Sequence, residues 1–165
     1  MTLTREPLDG PVAAPLLRDL VAELQVRYED DGAAGKPLDP GAFVPPRGAF
    51  LVVHADGAPA GCAGLRTLAP GTGEVKRMYV APWARGRGLG RALLAELDGA
   101  ARELGLSRLL LETGDAQPEA VALYASAGWE RVTPYGEWKD SPRSICFGRD
   151  VRSGEVASRD VRSGG

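Results

Sequence analysis

Apolar positions along the chain change period several times, and each change marks an element. Leu16, Leu17, Leu20, Val21 and Leu24 recur at helical spacing and predict a helix over residues 11–28. Asp9, Gly10 and Pro11 supply its start, a capping side chain and a proline whose missing N–H costs little there. Asp30-Asp31-Gly32 supplies its stop. Residues 1–7 ahead of it read as a short strand. Residues 33–48, broken by Pro37, Pro40, Pro45 and Pro46, read as a long loop with one helical turn near 39–43. A β-rich run at 49–54, a hairpin turn at Ala55-Asp56-Gly57 and a returning run at 58–67 predict two paired strands. Pro70-Gly71-Thr72-Gly73 turns into a third partner at 74–80, so that short connections make an antiparallel meander.

From Gly88 the period becomes 3.6. Leu89, Leu93, Leu97, Ala101 and Leu104 share one face of a helix that Gly105 ends. The apolar run at 107–113 is a strand buried on both faces, and strand, helix, strand predicts a right-handed crossover between parallel strands. Gln117-Pro118 opens another helix, ended by Gly128, and residues 129–132 and 144–149 read as final strands. The fold class is therefore α/β.

Composition changes this picture little. The 165 residues suit one domain, expected over 1–151, followed by a polar tail at 152–165; Arg-Asp-Val-Arg-Ser-Gly at 149–154 recurs at 159–164. A net charge of −2 gives no bulk attraction for nucleic acid. No apolar run approaches the ~20 residues of a membrane span, and the N-terminal residues lack the apolar segment of a secretory signal. Cys62 and Cys146 are expected reduced, and a cytoplasmic location follows by default. No metal is expected.

The chemistry concentrates between the third meander strand and the helix that follows. Arg85-Gly86-Arg87-Gly88-Leu89-Gly90-Arg91 brings glycines and arginines to a helix N-terminus, where free N–H groups and partial positive charge favour an anion such as a diphosphate. A Walker loop would need lysine and a hydroxyl residue after Gly90, where Arg91 and Ala92 stand. A dinucleotide fingerprint would need glycine at Arg91.

Arg85, Gly88 and Gly90 fit the pattern [RQ]-x-x-G-x-[GA], and the chain here resembles the GNAT superfamily of acetyl-CoA-dependent N-acetyltransferases. The block EVKRMYVAPWARGRGLGRALL is similar to that family's fourth strand, diphosphate loop and third helix; LLLETG followed by PEAVALYASAGW is similar to its fifth strand and fourth helix. The resemblance implies a mixed, mostly antiparallel sheet splayed between strands four and five, with helices on both faces. It implies acetyl-CoA as co-substrate, its pantetheine arm paired to backbone groups of Met78 and Val80 with Tyr79 between, and its diphosphate lined by Arg85, Gly86, Arg87, Gly88, Leu89, Gly90 and Arg91. Gln117 stands near where many relatives carry asparagine.

Acetyl transfer to an amine needs a neutral amine, a donor for the developing oxyanion, and a proton for the leaving thiolate. By resemblance Tyr124 is the acid, Glu74 the general base, and a strand-four amide such as that of Met78 the oxyanion donor. Attack is direct in a ternary complex, which suits the absence of a Cys–His or Ser–His motif; His54, the only histidine, reads as a strand residue. The acceptor, a small-molecule or peptide amine, is expected against Tyr28, Arg47 and Tyr135, with Phe43 and Trp138 as further aromatic walls. Two other functions stay open: an acyl-CoA-binding sensor or interaction module without turnover, and transfer of a longer acyl group. A homodimer is compatible with either.

Overall fold

A computed structural model describes residues 1–29 and 36–154. Seven strands form one sheet: β1 (Thr2–Arg5), β2 (Gly48–Ala55), β3 (Ala58–Ala69), β4 (Thr72–Val80), β5 (Arg108–Gly114), β6 (Glu130–Val132) and β7 (Ser144–Asp150), in the order β1-β2-β3-β4-β5-β7-β6. Only β4 and β5 run parallel; every other neighbouring pair is antiparallel. Three helices cover it: α1 (Ala13–Tyr28), α2 (Leu89–Glu103) and α3 (Pro118–Ser126). The expected mixed, mostly antiparallel sheet is the one found.

Two cores lie on opposite faces. On one face Leu93, Leu94 and Leu97 of α2 meet Leu51, Val53, Leu65, Leu109 and Leu111 of the sheet, joined by Tyr124 and Trp129. On the other, Leu16 and Leu20 of α1 meet Phe43, Phe50, Val52 and Cys62. β2 is apolar at nearly every position because both of its faces are covered. Full burial of each large apolar side chain contributes about 1.5–3 kcal/mol. The β2–β3 hairpin turns through Asp56 and Gly57, both at positive φ (52° and 76°), the conformation a two-residue hairpin favours.

Several boundaries depart from the sequence-based expectation. α1 begins at Ala13, with Val12 at its N-cap and no side-chain cap; Gly10 and Pro11 sit in the turn before it, and Pro15 occupies the first helical turn, where no intrahelical N–H is needed. Its last described turn ends at Glu29 in the left-handed region. The expected stop at 30–32 lies outside the described residues. A 3-10 turn at Pro40–Phe43, capped by the Asp39 side chain, is the helical turn expected in the long loop. A second 3-10 turn, Pro82–Ala84, joins β4 to the glycine-rich loop and has no counterpart in the periodicity. At the far end, Arg152 donates to Ala127 O and its N–H to Asp98, so the chain is held to α2 and α3 through this residue. The repeated tail beyond 154 lies outside the described residues.

Candidate active site

The opening in the sheet has two local causes. β4 and β5 pair only from Thr72↔Arg108 to Val75↔Leu111, although both strands continue. Between Lys76 and Tyr79, β4 carries Arg77 and Met78 against the single Ala63 of β3, and Arg77 lies at φ 57°. This bulge turns the second half of β4 away from β5. The two strands leave a V, and a cavity of about 560 Å³ occupies it.

The cavity passes from one face of the sheet to the other. Leu20, Glu23 and Arg27 of α1 line it on one side, and Gln117, Glu119, Ala120, Leu123 and Tyr124 of the α3 segment on the other. Met78, Tyr79 and Val80 form its β4 wall, and Arg85, Gly86, Gly88, Leu89, Gly90 and Arg91 form its mouth. The structure thus brings together nearly all of the residues expected to hold the cofactor. Arg87 is the exception: its guanidinium turns to the β2–β3 hairpin and pairs with Asp56 at 2.8 Å.

The mouth is a helix N-terminus with its donors free. Ala92 N is the first amide of α2 to find a helical acceptor, Gly88 O, at 3.1 Å. The six N–H groups of residues 86–91 make no hydrogen bond among the described residues. Gly86 and Gly88 sit at φ 77° and 79° with open space where a side chain would begin. A Cβ on Gly90 would lie 2.9 Å from Leu123 Cδ2, so glycine there lets α2 start close against α3.

The arginines of the loop are used mainly to hold it. Arg85 donates to Val80 O (2.9 Å) and to Glu23 (2.6 Å), and Arg91 donates to Ser126 Oγ (2.6 Å). Arg27 bridges onward from α1 to Glu119 (2.8 Å) and to Ala116 O. That bond holds the Glu119 carboxyl down at about 2 and raises Arg27. An ionic chain, Arg85–Glu23 and Arg27–Glu119, therefore straps α1 to the loop and to α3. Leu20, Glu23 and Arg27 were not expected in the site. Their signal was present: they continue the buried stripe of α1 at helical spacing, but with charges where leucines would stand.

Tyr124 lies deep in the cavity wall, with its ring 6.0 Å from Trp129 and 5.8 Å from Phe147. Its hydroxyl has no hydrogen-bond partner among the described residues, and burial raises its pKa, so the phenol stays protonated and able to donate. Glu74 is not in the cavity lining. It is buried on the α1 face of β4, where Oε1 accepts from Arg66 (2.7 and 3.0 Å) and Oε2 accepts from Tyr135 (2.7 Å). Burial, and then the Glu74 charge, raise the Tyr135 phenol well above its ordinary range.

The residues expected around the acceptor scatter. Tyr28 packs against Gly114 at the end of β5, accepts from Gln117 Nε2 at 3.0 Å, and is stacked by Arg143 at 4.7 Å. Arg47 is exposed and pairs with Asp39 at 3.2 Å, away from the cavity wall. Phe43 is a core residue, edge-on to Phe50, and not a pocket wall. Trp138 is partly exposed under Lys36, which also pairs with Glu137. His54 bonds Thr4 Oγ1 at 3.0 Å within the sheet. Burial pushes the Cys62 thiol up to about 12, as suits a core residue.

A parallel strand pair opened by a bulge, with a row of free amides at one end of the opening, makes a cleft whose backbone donors suit an extended anionic ligand. Residues 16–129 match the model of the acetyltransferase (GNAT) family, and the chain belongs to that family. An "IAA acetyltransferase" from Azospirillum brasilense is 38% identical over 150 residues, 88% of this chain and 94% of that protein. The uncharacterized N-acetyltransferase YjgM of Escherichia coli is 33% identical over 133 residues, 75% of this chain and 78% of that one. Among solved structures, an acyl-CoA N-acyltransferase from Klebsiella pneumoniae superposes with a TM-score of 0.74 at 27% identity, covering 92% of this chain and 97% of the other. A GNAT acetyltransferase from Elizabethkingia anophelis with acetyl-CoA bound shares the fold at 19% identity (TM-score 0.65; 90% and 97% covered). No helix among the described residues is long and apolar enough to cross a membrane.

Proposed function

We propose that this chain is a cytoplasmic N-acetyltransferase, one catalytic domain over residues 1–151, that moves an acetyl group from acetyl-CoA to a primary amine by direct attack. The row of unpaired amides at residues 86–91, opening onto the V between β4 and β5, carries this reading. It fits a diphosphate: donors converge, two glycines leave their side-chain space empty, and the helix end adds favourable potential. Backbone groups of Met78 and Val80, freed from β5 by the splay, fit an amide-bearing arm laid down as an added strand.

Bound there, acetyl-CoA supplies an activated thioester carbonyl. Met78 N–H is the oxyanion donor in this proposal, and Tyr124 gives its proton to the leaving sulfur. Arg27, Glu23 and Arg85 hold the mouth in shape. Glu74 serves on the acceptor side. Both of its oxygens already accept hydrogen bonds, so any proton reaching it from an amine passes through the Tyr135 hydroxyl or displaces it.

Release of CoA thiol from acetyl-CoA, screened against small amines, polyamines, aminoglycosides and peptides, tests the proposal together with Tyr124→Phe. The variant is expected to keep its affinity for acetyl-CoA and to lose about 10²–10⁴-fold in kcat. Tight binding with no turnover by the wild-type chain on any amine would instead make it an acyl-CoA-binding module.

A further inference from the structure

We infer that Glu112, on β5, is the carboxylate that receives the acceptor's ammonium group and takes its proton. This rests on the proposed N-acetyltransfer. The last paired residues of the V are Val75 and Leu111, so Glu112 is the first residue of β5 beyond the closed end. Leu109 and Leu111 alternate into the α2 core, which turns Leu110 and Glu112 to the opposite, α1 face. Glu74 is paired with Leu110 and points the same way. The two carboxylates thus lie at successive positions on the α1 face of the sheet, at the closed end of the V and outside the wall of the cavity, but they differ in what they hold.

Glu74 is saturated by Arg66 and Tyr135. Glu112 is half-buried and makes no hydrogen bond or ion pair among the described residues. An unpaired carboxylate in such a place is costly and calls for a cationic partner. The groups that face it are Lys76 and Glu74 on β4, Tyr135 in the loop between β6 and β7, and buried Cys146, its register partner on β7. Arg66 reaches this cluster only through Glu74. Burial raises the Glu112 carboxyl above its ordinary value; the Lys76 charge opposes the rise, and the weaker Glu74 charge adds to it. A carboxyl so raised is a better proton acceptor near neutral pH than an ordinary one. The substrate class is therefore a primary alkylammonium.

Protons and bonds balance as follows. The ammonium gives one proton to Glu112, which later releases it to solvent. The freed nitrogen lone pair forms the N–C bond to the acyl carbon while the C–S bond breaks. Sulfur receives the Tyr124 proton, and the second proton lost from nitrogen restores that hydroxyl. Glu74 is a positioning residue, holding Tyr135 beside the amine.

Carboxyl 13C resonances of glutamate-labelled protein test this directly, with Glu112 assigned by its loss in Glu112→Gln. The Glu112 resonance is expected to titrate above ordinary glutamate and to shift on adding n-butylammonium chloride but not n-butanol. With any amine the wild-type enzyme acetylates, Glu112→Gln should cut kcat/KM about 100-fold or more and remove the acid limb of its pH profile. Glu112→Asp should keep that limb, and both variants should bind acetyl-CoA like wild type. A Glu112 resonance indifferent to butylammonium, or an acid limb lost in Glu74→Gln and kept in Glu112→Gln, overturns the assignment. Wild-type protein that acetylates no amine defeats the N-acetyltransfer reading instead, while the butylammonium response still decides whether Glu112 is a cation site.

Discussion

Replacing Gly88 with alanine separates what the backbone of the loop does from what it binds. Gly88 caps α2 at φ 79° with nothing within 4 Å of the position its Cβ would take. No clash arises in the protein itself, so the stability cost is that of a left-handed residue, about 1–2 kcal/mol. For a chain of this size that lowers Tm by about 2–8 °C. Gly105, at the other end of the same helix, has φ 73° and equally open surroundings, roughly 25 Å away along the axis. Gly105→Ala should therefore unfold at nearly the same temperature as Gly88→Ala. Affinity should part the two. At Gly88 the methyl group stands among the free amides, and an anion held off by it loses at least one hydrogen bond to a charged group, about 1.5–3 kcal/mol. Calorimetric titration with acetyl-CoA should show Kd raised about 10- to 150-fold for Gly88→Ala and unchanged for Gly105→Ala. Equal affinities in the two variants, at equal loss of Tm, would refute the diphosphate assignment of the loop.

Two further outcomes follow from charge pairs outside the loop. Asp98 and Arg149 form a buried pair at 2.6 Å, and Arg149 also lies over the Trp129 ring, so Asp98→Asn strands a buried guanidinium; it should lower stability by about 3–5 kcal/mol and Tm by about 6–20 °C in thermal unfolding, without changing acetyl-CoA affinity. The Glu119 carboxyl is depressed in the folded state to about 2, so the Arg27–Glu119 strap contributes fully above pH 4.5 and fades as pH falls toward 2; because Glu119 is largely exposed the loss is about 1 kcal/mol or less, and Glu119→Gln should flatten that part of the stability profile.

The fold was legible where a periodic pattern met its punctuation. The leucine stripe of α2, the Asp56-Gly57 hairpin and the apolar β5 run each follow from local rules, and their sequence spacing gives the crossover. The mouth of the site was legible for the same reason, since glycines at a helix start leave a mark in the sequence. The bulge that opens the sheet left none. Its left-handed residue is Arg77, stabilised by surroundings that only the folded chain assembles, including a bond from its guanidinium to Lys36 O. Long-range charge pairs were equally silent. Nothing local couples Glu23 to Arg85 or Arg66 to Glu74, so the carboxylate expected as base was located correctly on β4 while its partners went unseen. Phe43 shows the reverse: an aromatic near a loop suggests a pocket wall, but it fills core space beside Phe50.

The central claim is that the V between β4 and β5 presents acetyl-CoA to an amine. Incubating the wild-type chain with acetyl-CoA and the amine panel, and following both CoA thiol and acetylated amine by mass spectrometry, tests it most directly. One thiol released per amine acetylated, with more acetyl-CoA needed to half-saturate Gly88→Ala, is the expected result. Acetyl-CoA that fails to bind, or that binds and yields no acetylated amine, would contradict it.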